Sequence, residues 1–371
     1  MNVPPLFFAR AQTLLTGAAI GVALIGALHV ALSAAAQQAS QPTFRTGTTL
    51  VEVSAIVTKD GLTVPDLTRD DVQVLDGGVP QPLVAFEFVD LSTAPIPEQR
   101  RDFVLVLDDL QIDARQSRAT IALAQRLIDG LGASDRLAIV NTGPFELIQQ
   151  LSTDRRAAHA LVRKFRGLKG SASSPVEKTH LAITLLRVVR NVARVLASED
   201  PRERRSIVVV SEGGPLGPVA PNQRDDDFQP VLAAYDEMVG QAALSNVAVY
   251  AVDPRGLDAP MHRISGPDNR TIAQAASQLG ETAGESAALR RRGLLWRMAD
   301  VTGGTLVTER NDLGAGLPGM FRDSRQYYRL AYVQPAVAPG DEGKARSIEV
   351  RVARPDTTVR ARRQYLPKGQ P

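Results

Sequence analysis

The sequence predicts a doubly wound α/β fold with a mostly parallel sheet, flanked by a sandwich-like β domain assembled from the two ends of the chain. Three observations predict it. Four continuous apolar runs, Phe103 to Leu107, Leu137 to Val140, Ile207 to Val210 and Val247 to Val252, have the β-branched composition of strands buried on both faces. Stretches with helical period lie between them: Ile121, Ala124, Ile128 and Leu131 recur on one face, as do Leu181, Leu185, Val188, Val192 and Val195. Alternating, strand-like sequence gathers at the two ends, and short strands of that kind need a partner to close a core.

The chain opens with one charge, Arg10, and an apolar, small-residue run from Leu14 to Ala36. Residues 1–36 read as a secretory signal peptide cleaved after Ser33-Ala34-Ala35-Ala36. The run also reaches the ~20 residues that span a bilayer core, so an uncleaved anchor is the alternative. Either reading places residue 37 onward outside the cytoplasm, in the periplasm, secreted or held at the envelope. Residues 37–48 are a polar linker. The remainder is long enough for one large domain or two modest ones. A formal net charge of +3 gives no electrostatic case for nucleic acid. The absence of Cys excludes disulfides, thiolate metal sites and thiol nucleophiles.

Residues 49–92 begin with the period-two segment Leu50 to Val57, and Lys59-Asp60-Gly61 supplies a turn. Two more short strands follow, around Val72 to Leu75 and Leu83 to Phe88, separated by Asp76-Gly77-Gly78. The α/β part is expected over residues 100–322. Thr153-Asp154 caps a helix running to Phe165, and another helix covers Phe228 to Leu244. Arg187, Arg190 and Arg194 form the solvated stripe of the helix that carries Leu185. Residues 258–288 show no strong period and are either a mobile excursion or a loosely packed helix and loop. A helix from Leu289 to Val301 stops at Gly303-Gly304, and a short one covers Leu313 to Arg322. Strands return in residues 325–366, over Tyr327 to Val333, Ser347 to Val352 and Thr358 to Tyr365; these are expected to join residues 49–92 in one β domain.

In doubly wound sheets ligands collect beyond the carboxyl ends of the strands. The candidate set there is Asp108, Asp109, Asp113, Thr179, Glu212 and Asp253, with Ser173, Ser174 and Ser211 nearby. Such oxygens could hold a hard divalent cation, Mg or Ca. The same groups also cap helices and satisfy turns, and spacing alone favours neither reading. No nucleophile elbow, P-loop, dinucleotide glycine fingerprint or zinc helix is present. His159, His180 and His262 are scattered singly, and Asp225-Asp226-Asp227 precedes a helix whose dipole it favours, with calcium binding there as the minor alternative.

A family resemblance adds to this. Arg101 to Asp109, with Asp135 to Val140, looks like the opening half of a von Willebrand factor A domain. Val208 to Gly213, Val249 to Leu257, Ala299 to Gly304 and Tyr327 to Tyr332 extend the likeness, and Val64 to Gly78 with Pro80-Gln81 is similar to the first β unit of the exported, acidobacterial VWFA-related family. The resemblance spans about residues 45 to 366 and implies a Rossmann-like binding module, not an enzyme, that meets a protein or cell-surface partner. Metal-binding members carry Asp-x-Ser-x-Ser after the first strand. Asp108 matches the first position, but Leu110 and Ile112 stand at the two Ser positions; Thr179 and Glu212 correspond to later ligands. The expected site is therefore degenerate, with no cofactor. Two other functions stay open: a metal-dependent hydrolase using Asp108, Asp109 and Glu212, and a structural part of an envelope assembly. A membrane partner is expected only if the N-terminal segment is kept as an anchor.

Overall fold

The structure is a computed structural model that describes residues 49–95, 99–144, 148–170, 174–197, 204–214, 228–255, 293–308, 312–338, 340–341 and 343–367. The signal segment 1–36, the linker 37–48 and the stretch 258–288 lie outside these residues, as do Ser173, Asp225, Asp226, Asp227 and His262.

The alternating segment after Thr49 forms β1 (Leu50–Lys59), and Asp60 and Gly61, at φ 51° and 77°, turn it into β2 (Leu62–Thr63). A hairpin of β3 (Val72–Asp76) and β4 (Val79–Gln81) follows. Its two central residues, Gly77 and Gly78, sit at φ 59° and 83°, the consecutive positive values that a type I′ turn requires. Next comes β5 (Leu83–Asp90).

Each of the four apolar runs of the middle region becomes a six-residue strand: β6 (Asp102–Leu107), β7 (Arg136–Asn141), β9 (Arg205–Val210) and β10 (Val247–Val252). Short β8 (Gln149–Ser152) and β11 (Leu306–Val307) complete a sheet in the order β11-β10-β9-β6-β7-β8, parallel except for the β7–β8 pair. The helices are α1 (Ser117–Asp129), α2 (Arg155–Val162), α3 (Pro175–Leu196), α4 (Gln229–Leu244), α5 over 293–301 and α6 (Leu317–Asp323). Alternation divides every strand between two cores. Val104 and Val106 of β6 pack with side chains of α3, α4 and α5, whereas Phe103, Leu105 and Leu107 pack with those of α1, α2 and α6. Asp154 caps α2 by accepting from the Ala157 N–H at 2.9 Å. Gly304 follows α5 at a spot where a Cβ would stand 1.9 Å from the Val249 carbonyl oxygen, so the helix can turn back along β10 only with glycine there.

The late strands are β12 (Gln326–Val333), β13 (Arg346–Val352), β14 (Thr358–Ala361) and β15 (Gln364–Tyr365). They interleave with the early ones. One sheet runs β14-β1-β12-β5, with β2 hydrogen-bonded to β1, and the other runs β15-β13-β3-β4. Val53, Val74, Leu330 and Tyr332 fill the core these strands share. Residues 49–92 therefore divide between two sheets. Polar groups in this core are paired across the chain: buried Asp76 meets the Tyr332 hydroxyl at 2.9 Å, the Tyr365 hydroxyl at 2.7 Å and Arg346 Nε at 2.9 Å. The Tyr328 hydroxyl accepts from the Leu67 N–H at 2.9 Å and donates to the Val64 carbonyl at 2.8 Å. Tyr328→Phe leaves both backbone groups without that partner, so urea unfolding should show a loss of about 1–3 kcal/mol. An unchanged midpoint would mean that water replaces the hydroxyl.

The expectation of a doubly wound, mostly parallel α/β fold is corrected by the strand count. Eight of the twelve strand pairings among the described residues are antiparallel, and nine of the fifteen strands lie in two wholly antiparallel sheets. The chain is mainly antiparallel β. The reason lies in the terminal segments: β1, β5, β12 and β13 hold 10, 8, 8 and 7 residues, whereas no parallel strand exceeds 6.

Candidate functional site

The ladder of β6 continues one residue past its end, because the Asp108 N–H donates to the Val210 carbonyl at 3.0 Å. The chain then turns tightly, with the N–H groups of Gln111 and Ile112 donating to the Asp108 carbonyl at 3.2 and 3.0 Å. This turn drops the Ile112 side chain into the apolar core with Leu105 and Leu107 and holds both neighbouring carboxylates at the sheet edge. Asp108 and Asp109 are 1% and 0% exposed.

Each carboxylate is met by donors from a different strand end. Asp108 Oδ2 accepts from Ser211 Oγ, after β9, at 2.5 Å and from Gln111 Nε2 at 2.7 Å; its Oδ1 accepts from Thr142 Oγ1, after β7, at 2.7 Å. Asp109 accepts from the N–H groups of Thr142 and Gly143 at 3.1 and 2.7 Å and from Asn141 Nδ2 at 3.0 Å. A Cβ on Gly143 would stand 2.4 Å from Asp109 Oδ2, so this close approach needs glycine. Burial pushes the Asp108 carboxyl up to about 6, and the Asp109 charge adds to this, while the hydrogen bonds from Ser211, Thr142 and Gln111 pull the other way.

The remaining acidic residues form an outer strip. Buried Glu212 accepts from the Asp113 N–H at 2.8 Å and pairs with Lys169 Nζ at 2.5 Å. Asp253 is held by Arg255 at 2.7 Å, and Arg255 also donates to the Glu212 carbonyl at 3.0 Å. Asp113 caps the next turn and binds Arg115, whose hydrogen bonds hold its carboxyl down at about 2. Thr179 is half-buried in the second turn of α3, three residues before Ala182, which faces Gly214. Asp108 and Asp109 thus form one cluster, while Asp113, Glu212 and Asp253 are joined by Lys169 and Arg255.

Sequence reasoning did not single out Gln111, Asn141, Thr142, Lys169 or Arg255. Asn141-Thr142-Gly143 had a signal, since it follows the apolar run of β7 as Asp108 follows that of β6. Lys169 lies in a loop without period and had none.

The oxygens of Asp108 face three hydrogen donors, Ser211, Gln111 and Thr142, while Ile112 lies in the apolar core and offers them nothing. Among the described residues no group of three His, Cys, Asp or Glu is placed to hold a metal ion. The arrangement ties four loops together through their own side chains.

No family model and no curated protein matches the chain. Among solved structures, a mutant of the PilB minor pilin from Streptococcus sanguinis aligns with a TM-score of 0.34 and 11% identity, covering 76% of this chain and 78% of that one. Three N-terminal domains of the type V pili tip protein Mfa5 from Porphyromonas gingivalis align with a TM-score of 0.31 and 12% identity, covering 87% of this chain and 69% of that one. Likenesses at this level assign neither activity nor partner. The resemblance to the VWFA-related family is corrected here, because no family model matches the chain.

Proposed function

We propose that the protein is a binding module that works outside the cytoplasm and meets a protein partner through the loops that follow β6, β7, β9 and β10. The observation that carries this reading is the mutual saturation of the polar groups there. Asp108, Asp109 and Glu212 are engaged by neighbouring loops, and Asp253 by Arg255 of its own loop, which also reaches the Glu212 carbonyl; this gives a fixed rim in place of an open catalytic constellation. Loop starts anchored in this way have little ordering entropy left to lose, which suits recognition by shape. Arg115, 86% exposed on its side chain, and Lys169, 35% exposed, are the cationic groups this rim shows to a partner.

Photo-crosslinking tests it. A crosslinker at Arg115 or Lys169 should capture the same polypeptide in envelope preparations, and one at exposed Ala133, at the far end of the parallel strands, should not. Equal capture from all three positions, or none from the rim, would sink the reading. Turnover in a broad hydrolase screen with added metals, lost in Asp109→Asn, would replace it with an enzymatic one.

A further inference from the structure

β1 is paired unevenly. On one side β12 runs beside it from Leu50 to Ala55; on the other, β14 covers only Ala55 to Thr58. At Arg362 the chain leaves β1 and bridges to Thr302 instead. Among the described residues the first half of β1 therefore has an open edge. The Gln334 N–H donates to the Thr49 carbonyl at 2.9 Å, which turns the backbone groups of residues 49, 51 and 53 toward β12. Alternation in an antiparallel ladder then turns the N–H and C=O of Leu50 and Glu52 the other way, into the gap.

At the gap lies a cavity of about 210 Å³ whose lining includes Leu50, Glu52, Arg362, Leu366 and, at the end of α4, Leu244. Its chemistry is specific. The half-buried Glu52 carboxylate has no hydrogen bond or ion pair among the described residues, although the charges of Arg362 and Arg329 lie near enough to feel it. Arg362 is already committed, donating through Nη1 to the Ala243 carbonyl at 2.7 Å in the last turn of α4. That helix end adds a negative partial charge. Leu50 and Leu244 are 40% and 47% exposed, two large apolar side chains left open at this cavity. An aliphatic stem ending in a cation matches such a wall.

We propose that this wedge takes an extended segment of a partner protein, which adds as a strand antiparallel to the first half of β1, in line with β14. The segment carries a Lys or Arg whose stem lies along Leu50 and Leu244 and whose charge meets Glu52. Backbone pairing with Leu50 and Glu52 supplies affinity, and the cation supplies selectivity. Asn246, which also lines the cavity, immediately precedes β10, so the wedge lies at the amino ends of the parallel strands. The rim near Asp108 is at their carboxyl ends, and the two surfaces can fail independently.

The test uses the whole protein and two synthetic nine-residue peptides that alternate Thr and Val, one with a central Lys and one with Glu in its place. Fluorescence anisotropy should show the Lys peptide binding at least tenfold more tightly, and hydrogen exchange at the Leu50 and Glu52 amides should slow about tenfold when it binds. Glu52→Gln should bring the two peptides to within threefold of each other. Glu52→Pro, which removes an N–H facing the wedge without touching the β12 ladder, should weaken both. The proposal is overturned if the wild-type protein binds neither peptide or both alike. It is also overturned if those amides are protected without peptide, which would mean that the protein's own chain or a second copy fills the groove. The wild-type comparison decides the matter even if a variant fails to fold.

Discussion

Asp135→Ala is expected to lower the unfolding free energy by about 3–5 kcal/mol. Asp135 and Arg101 are both 2% exposed on their side chains and form an ion pair at the start of β6 and β7. Arg101 Nε donates to Asp135 Oδ1 at 3.0 Å, and the second guanidinium nitrogen meets Oδ2. The other nitrogen donates to Ser324 Oγ at 2.7 Å and the Phe321 carbonyl at 3.1 Å, and the group stacks 5.0 Å from the Phe103 ring centre. Asp135 also accepts from the Gly132 N–H at 2.7 Å. Removing the carboxylate strands a buried cation between two phenyl rings and frees a loop N–H. Burial already holds the Arg101 guanidinium below its ordinary value, with the Asp135 carboxylate opposing that shift, so the loss falls on a group under strain from desolvation. Equilibrium unfolding in urea measures the effect. The double variant Arg101→Met with Asp135→Leu should recover most of the loss, because replacing both charges removes the desolvation cost along with the attraction. A single variant costing under about 1 kcal/mol would show that water reaches Arg101.

The second large effect has the opposite sign. Asp108→Asn is expected to stabilise the protein at pH 7.5 by roughly 2–3 kcal/mol. The folded carboxyl sits at about 6, above its ordinary 3.8. Folding therefore favours the protonated form. Its contribution is fully present below 3.8 and is lost as the pH rises through about 6, so a buried charge is carried at neutral pH. Asparagine reproduces the neutral form. Its oxygen can accept from Ser211 and Gln111, and its amide can donate to Thr142 Oγ1, which then donates to Asp109 Oδ1, 3.1 Å away. The difference in stability between variant and wild type should shrink as the pH falls from 7 to 4. A difference that stays flat across that window would place the Asp108 carboxyl in the ordinary range. Asp108→Ala should instead destabilise at every pH, since three donors lose their acceptor at once.

These two residues show how far the sequence could be read. Arg101-Asp102 and Asp135-Arg136 stand out as mirror-image dipeptides before apolar runs, and the structure crosses them: Arg101 binds Asp135 while Arg136 Nε reaches Asp102 Oδ1 at 2.8 Å, with Asp102 opposite Arg136 in register. The candidate acids at the strand ends were visible as residue types following β6, β9 and β10, but their division of labour was not. Which of them share a hydroxyl, and which is neutralised by Lys169, depends on residues 33 to 103 positions apart. The mostly parallel class misjudged the balance of the chain because apolar runs announce buried parallel strands loudly. The longer alternating strands at the ends reveal their number only when paired.

The sequence by itself determined the local elements: six-residue strands where β-branched runs lie, helices where apolar residues recur every three or four positions, and positive φ at Gly77 and Gly78. Those follow from sterics and periodicity among near neighbours. Only the tertiary structure decided that β12 lies between β1 and β5, that β14 leaves half of β1 uncovered, and that Asp108 is buried deeply enough to hold its proton near pH 6. Strand partners and desolvation are set by segments up to about 300 residues away, and no local pattern encodes them.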